Sequence, residues 1–401
     1  MPTAEALLRP LFALPRECEL DEAAEVARRV AQDVKDFVEG DARALSAEAC
    51  ALFTAELHRR MYELVSVSAL PSERYAALVL LDELIDVEIE EGTTQATRFA
   101  NLVRTTLWHT ERAALTDADR AVLAHAARAL GHIARSGGAF SGADFVDFEA
   151  RHALDQLRDA RSEQGALSAV LVVAELARQA PTLFHAHVQP VLHLVGLALC
   201  DERPPVRHVA ALALRACLQL LQPRDADWQA RWCVQLLGEA RAALARGGTP
   251  SVHGGLLILL ELAKYASVDF RLGALDELCA LGLSVRAHRE PHACGALLLL
   301  LPRLAALAPD RFSARHLDGA VRHALGLLAE PASRAHHAAA FVCLAGIARE
   351  VREPFGAYVP ETVRHLREAL LLLAQHAPAA RGAGGPSAVS YTHLRAHETD
   401  S

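Results

Sequence analysis

One short pattern recurs along most of this chain at a nearly constant interval. A helix-like stretch closes on a variable pair, then Leu or Ile, then commonly Ala. It reads DELI at 82–85, GHIA at 131–134, AELA at 174–177 and ACLQ at 216–219. It continues as LELA at 260–263, PRLA at 302–305 and AGIA at 345–348. The third position falls at Leu84, Ile133, Leu176, Leu218, Leu262, Leu304 and Ile347, in steps of 49, 43, 42, 44, 42 and 43 residues. At 1.5 Å of rise per residue, such a step holds two helices and their turns. A helix pair cannot bury its apolar face alone, but stacked pairs share a continuous core.

The shorter periodicity agrees. Residues 25–38, 47–65, 72–87 and 119–134 carry apolar side chains at i, i+3, i+4 and i+7. Hydrophobic residues are 52% of the chain and aromatics only 5%. Apolar content drawn from Ala and Leu favours helices, where these residues lose little entropy. No stretch alternates as a half-buried strand does. The expected fold is all-α, an α-solenoid (HEAT/armadillo-like superhelix) of about eight helical pairs, since a period of about 40–47 residues marks those repeats. Signature helices should face inward. Outer helices are expected at 96–109, 142–158, 182–199, 228–246 and 311–328. Breakers separate them: Pro71, Gly137-Gly138, Pro181, Pro204-Pro205, Pro223, Gly247-Gly248, Pro291, Pro331 and Pro354. Residues 1–20 read as a lead-in, 21–380 as the solenoid and 381–401 as a tail. The tail, with its VSYTHLRAHET run at 389–399, resembles a translated library-adapter sequence or a disordered linker.

Several partner classes are disfavoured. The net charge is −8 and the pI about 6.2, so no overall basic field is available to neutralise nucleic acid. Among its eight cysteines no two lie closer than 15 positions, which excludes CxxC and zinc-ligand spacing. The apolar runs at 254–260 and 295–301 are far short of the ~20 residues of a membrane span. Phosphate-binding glycine loops, a DFG metal-binding motif and a nucleophile elbow are all missing. No catalytic, cofactor-binding or metal-ligating residue is therefore assigned.

His185, His187, His336 and His337 form the closest histidine pairs, but neighbours one or two apart on a helix do not converge. Trp228 and Trp232, at i and i+4, are expected to pack on the next repeat; an exposed partner anchor is the alternative. Glu83, Asp86 and Glu175 are too dispersed to form an active site on the inner helices.

Particular stretches resemble a known family. They are TRFANLVR at 97–104, FVDFE at 145–149 leading into Ala153-Leu154, PTLF at 181–184 with VQP at 188–190, and ALALRACL at 211–218. HGGLLILLEL at 253–262, LLPRLAA at 300–306 and the segment from Phe355 through Pro360 to Leu370 follow. In this order they resemble the N-terminal HEAT-repeat region of the target-of-rapamycin (TOR) serine/threonine protein kinases, over residues 22–377. The resemblance implies a fragment of a kinase that controls growth in response to nutrients. Its kinase domain, with the ATP and Mg sites, would lie outside this chain. The resemblance also implies protein partners, namely a Raptor-type regulatory scaffold and a homodimeric complex. It implies a cytoplasmic location, with lysosomal or vacuolar membranes reached through partners. The rival expectation is a stand-alone HEAT scaffold or adaptor of the transport-receptor or phosphatase-scaffold type.

Overall fold

The computed structural model describes residues 3–40, 46–66, 68–89, 92–108, 114–136, 142–159, 161–221, 226–330 and 334–376. Two compact units divide the chain, Met1–Ala308 and Pro309–Ser401. Among the described residues there are helices and no strands. The tail at 381–401 and the breakers at 137–138, 223 and 331 lie outside the described residues.

The first unit begins with α1 (Ala4–Phe12), α2 (Leu20–Glu39), α3 (Ala47–Val65) and α4 (Pro71–Leu84). It continues through α5 (Gly92–Trp108), α6 (Asp117–Ser136), α7 (Gly142–Asp159) and α8 (Glu163–Gln179). Then come α9 (Pro181–Phe184), α10 (Val188–Leu199), α11 (Pro204–Leu221), α12 (Ala226–Arg246) and α13 (Thr249–Tyr265). It ends with α14 (Val268–Gly273), α15 (Leu275–Ser284) and α16 (Pro291–Leu307). α1, within the stretch read as a lead-in, is a helix packed on α2, α3 and α4.

Local chemistry sets the helix starts. Pro71, Pro181 and Pro291 each open a helix, where a missing N–H costs nothing. The Ser46 and Ser162 hydroxyls accept from the Ala49 and Gly165 amides, at 3.2 and 3.1 Å. Glu290 caps α16 by accepting from the Ala293 amide at 2.7 Å.

Pairing follows the repeat. α3 packs on α4, α5 on α6, α7 on α8, α10 on α11, α12 on α13 and α15 on α16. The second member of each pair also stacks on its counterpart, in the row α2, α4, α6, α8, α11, α13, α16. The signature residues Leu84, Ile133, Leu176, Leu218, Leu262 and Leu304 are all buried in that row. Small side chains between them, such as Ala76, Ala127, Ala169, Ala210 and Ala213, are buried too and let the axes approach. A close approach occurs at Gly254, where α13 meets the last carbonyl of α10.

The second unit holds α17 (Pro309–Arg315), α18 (Leu317–Ala329), α19 (Arg334–Val351), a 3-10 segment (Glu353–Tyr358) and α20 (Val359–His376). α18 packs on α19, where the signature residue Ile347 is buried.

Two outer helices differ from expectation. The stretch expected as one helix over 182–199 is broken by a 3-10 turn at His185–His187. Pro190, in the first turn of α10, cannot donate a backbone hydrogen bond, and its ring would crowd the carbonyl four residues back. The stretch expected over 311–328 breaks at His316, whose φ is −125°. Phe312 and Leu317 are both buried. Five residues apart they would point about 140° away from each other on a straight helix, so a bend lets both enter one core.

Pro181–Leu199 is long and apolar enough, by length and composition, to cross a membrane. Here Phe184, Val188, Val191, Leu192, Val195 and Leu199 instead enter the core of the stack.

Candidate functional site

Polar side chains join the repeats at regular intervals. Lys35 donates to Glu83 at 3.1 Å, Arg74 to Asp119 at 2.5 Å and Arg120 to Glu163 at 3.0 Å. Arg104 donates to Glu149 at 2.7 Å, Arg207 to His253 at 2.8 Å and Arg215 to Glu261 at 3.0 Å. Each bond spans 43 to 48 residues, one repeat. Apolar stacking tolerates sliding, whereas a directional bond at each joint sets the register of one helix on the next.

Two joints are built from histidine, with opposite electrostatics. At the α4–α6 joint, His132 Nδ1 lies 2.8 Å from Asp82 and Nε2 lies 3.0 Å from Asp86. The Ser136 hydroxyl donates to Asp86 at 2.7 Å. The carboxylates hold His132 above the ordinary imidazole range, led by the hydrogen bond to Asp82.

The α11–α13–α16 joint groups His208, His253 and His292, with ring centroids 5.1, 5.4 and 5.5 Å apart. Arg207, buried, donates to His253 Nδ1 and to the carbonyls of Asp201 and Glu202. Burial pushes His253 down to about 2 and His208 down to about 4, and the neighbouring cation and imidazoles act in the same direction. In the unfolded chain these rings take up a proton near pH 6.5, while in the folded chain they resist it. Their contribution is therefore full above pH 6.5 and is lost as pH falls. Acidification toward pH 4 is expected to remove on the order of 3 kcal/mol through His208 alone. Hydrogen exchange in α11 and α13 should accelerate as pH is lowered through that window, after correction for the intrinsic rate. His208→Gln should reduce the response and leave the part that His253 carries.

On the outer row, Glu149 is fully buried and burial pushes its carboxyl up, against the pull of Arg104. The Arg104 guanidinium also sits 5.0 Å from the ring centre of Phe148, which is 55% exposed. Tyr62, 51% exposed, shares a 3.2 Å hydroxyl contact with Thr105 and borders an open groove of about 650 Å³ with His58 and Arg59.

The residues singled out by sequence do not converge. Trp232 is buried and Trp228 half-buried, T-shaped to each other and set against His193 and His185. They wedge α12 onto the preceding repeat. His187 faces Asp147 at 3.5 Å and His337 lies 3.4 Å from the Glu330 carbonyl. Glu83 pairs with Lys35, Asp86 with His132 and Glu175 with Arg178. Among the described residues no group of three or more His, Cys, Asp or Glu could hold a metal ion. The two histidine joints went unnoticed in sequence. The signal was there, because His208, His253 and His292 recur at roughly one repeat.

No family model matches the chain. The serine/threonine-protein kinase TOR of Arabidopsis thaliana is 33% identical over 337 residues, 84% of this chain and 13% of that protein. The serine/threonine-protein kinase tor1 of Schizosaccharomyces pombe is 30% identical over 344 residues, 85% of this chain and 14% of that protein. Among solved structures, Kap121p bound to Pho4p superposes with a TM-score of 0.62 at 16% identity, over 94% of this chain and 37% of that one. That likeness carries the fold alone. The chain spans about one-eighth of the length of the curated relatives it matches. With its stacked helix pairs and this extent of identity, the chain is a HEAT-repeat homologue of the N-terminal region of the TOR serine/threonine kinases.

Proposed function

We propose that this chain is the protein-binding scaffold segment of a TOR-like serine/threonine kinase that controls growth in response to nutrients. One observation carries the reading: about 30–33% identity to TOR kinases runs through 84–85% of the chain. A solenoid offers a long surface and no enclosed site, which suits binding better than catalysis. In this reading ATP and Mg belong to a kinase domain outside these residues, and this segment itself needs no cofactor. Its partners are a Raptor-type regulatory scaffold and a second kinase protomer, met in the cytoplasm. Tyr62, Phe148 and Arg104 are the residue types that anchor protein interfaces, and two of them are well exposed.

The test offers the purified 401-residue chain two ligands in turn, a Raptor-type scaffold and the GTP form of Ran. Saturable binding to the first and none to the second is expected. Binding to Ran alone would favour the transport-receptor reading. Binding to neither would remove the scaffold role proposed for this segment.

A further inference from the structure

The end of α4 gathers negative charge where a helix tolerates it least. Asp82, Glu83 and Asp86 sit in or just past its last turn, against the carbonyl pole of the helix. Neighbouring helices supply the compensating cations. Lys35 from α2 reaches Glu83 at 3.1 Å, and His132 from α6 reaches both Asp82 and Asp86.

The contacts of His132 favour the charged ring. Both ring nitrogens lie within hydrogen-bond distance of a carboxylate oxygen, at 2.8 and 3.0 Å. Carboxylates only accept, so both bonds exist together only when the ring carries two N–H groups. A neutral imidazole keeps one bond and turns a lone pair toward the other carboxylate. We propose that His132 is a proton-operated clasp between α4 and α6, closed as the imidazolium and released on one side when the ring loses its proton.

The surroundings favour this assignment. From α4 the ring faces Asp82 and Asp86, with Glu83 beside them. From α6 come Arg135, Ser136 and, one and two turns back, Arg128 and His125. Arg135 adds a cation near Asp86, and Arg28 and Arg128 lie near His125. On the α8 side, Glu175 and Gln179 lie against Gly131, next to His132, and Arg178 is engaged by Glu175. His125, buried with Nε2 3.5 Å from Asp82, is driven well below the ordinary imidazole range by burial. It stays neutral when His132 is charged. Lysine and arginine keep their charge across the neutral range, so of the cations named here His132 is the one that a rise in pH removes.

Release has a local mechanical result. Asp82 and Asp86, one turn apart on the same face, lose their shared counter-ion and repel each other. Ser136 still donates to Asp86, so α6 remains tethered by its last residue while the contact one turn earlier opens. The α4–α6 joint becomes looser at higher pH, opposite to the acid-sensitive joint of α11, α13 and α16.

Hydrogen exchange followed by mass spectrometry on the 401-residue chain tests the clasp between about pH 7 and pH 9, above the range in which His125, His208 and His253 respond, with intrinsic rates corrected. Protection in the α4 and α6 peptides should fall with rising pH by up to about tenfold per pH unit where the ring titrates, while α13 peptides stay level. In His132→Gln the α4 and α6 protection should be independent of pH. Asp86→Asn, which leaves a single carboxylate for the ring, should show a smaller response and provides the test if His132→Gln does not fold. A pH-independent wild type overturns the proposal, as does a full response in either variant.

Discussion

Asp119→Ala is expected to cost the first unit about 3–5 kcal/mol, the range for stranding a buried charge. Arg74 and Asp119 are each only 3% exposed, and they meet at 2.5 Å across the α4–α6 joint. Asp119 has a second duty. Its other carboxylate oxygen accepts from the Thr116 amide at 3.1 Å and the Thr116 hydroxyl at 2.7 Å, while that hydroxyl accepts from the Asp119 amide at 3.1 Å. This is the reciprocal capping arrangement that opens α6. Deleting the carboxylate thus removes the partner of the Arg74 guanidinium across this joint and the reciprocal half of the cap, while the Thr116 hydroxyl still accepts from the amide of residue 119. The double variant Arg74→Met with Asp119→Ala should recover much of the loss, because no buried charge remains unpaired. Urea unfolding of the two variants, followed by circular dichroism, checks both expectations. Equal instability of the single and double variants would mean that the cap, not the charge, dominates.

Gly254→Ala is the second large effect, and it is steric. A Cβ at this position would stand 2.0 Å from the Leu199 carbonyl oxygen and 2.7 Å from its carbon. Both atoms are backbone at the end of α10, so no side-chain rotation relieves the clash. Overpacking usually costs about 1–3 kcal/mol, and here a whole helix must move, so at least the upper end of that range is expected. Gly238→Ala is the control: its Cβ would meet nothing within 4 Å, and replacing an interior helical glycine should be neutral or stabilising by up to about 1 kcal/mol. Thermal melts of the two variants give the comparison. A wild-type melt for Gly254→Ala would show that α13 and α10 are not in this close contact.

Much of the architecture was legible because burial in a repeat protein is periodic. Leu84, Ile133, Leu176, Leu218, Leu262, Leu304 and Ile347 are all buried, as their common spacing implied. The interruptions were harder to read. The bend at His316 arises from two core anchors that share no face of a straight helix, and the turn at His185–His187 depends on where Pro190 falls in its helix. The polar joints were invisible for another reason. Arg207 and His253, or His132 and Asp82, are ordinary surface residue types when read along the chain. Only the superposition of one repeat on the next brings them together. The expected role of Trp228 and Trp232 in packing could be stated from spacing, whereas the exposure of Tyr62 and Phe148 could not.

The one-repeat span of the polar bonds also bears on how the chain is made. A joint such as Arg215 to Glu261 can close once about one more repeat has left the ribosome, within several seconds at ~5–20 residues per second. No such bond waits for the far end of the polypeptide. Synthesis can therefore add finished, register-locked layers in order, and the nascent chain exposes little more than one unpartnered helix pair at a time.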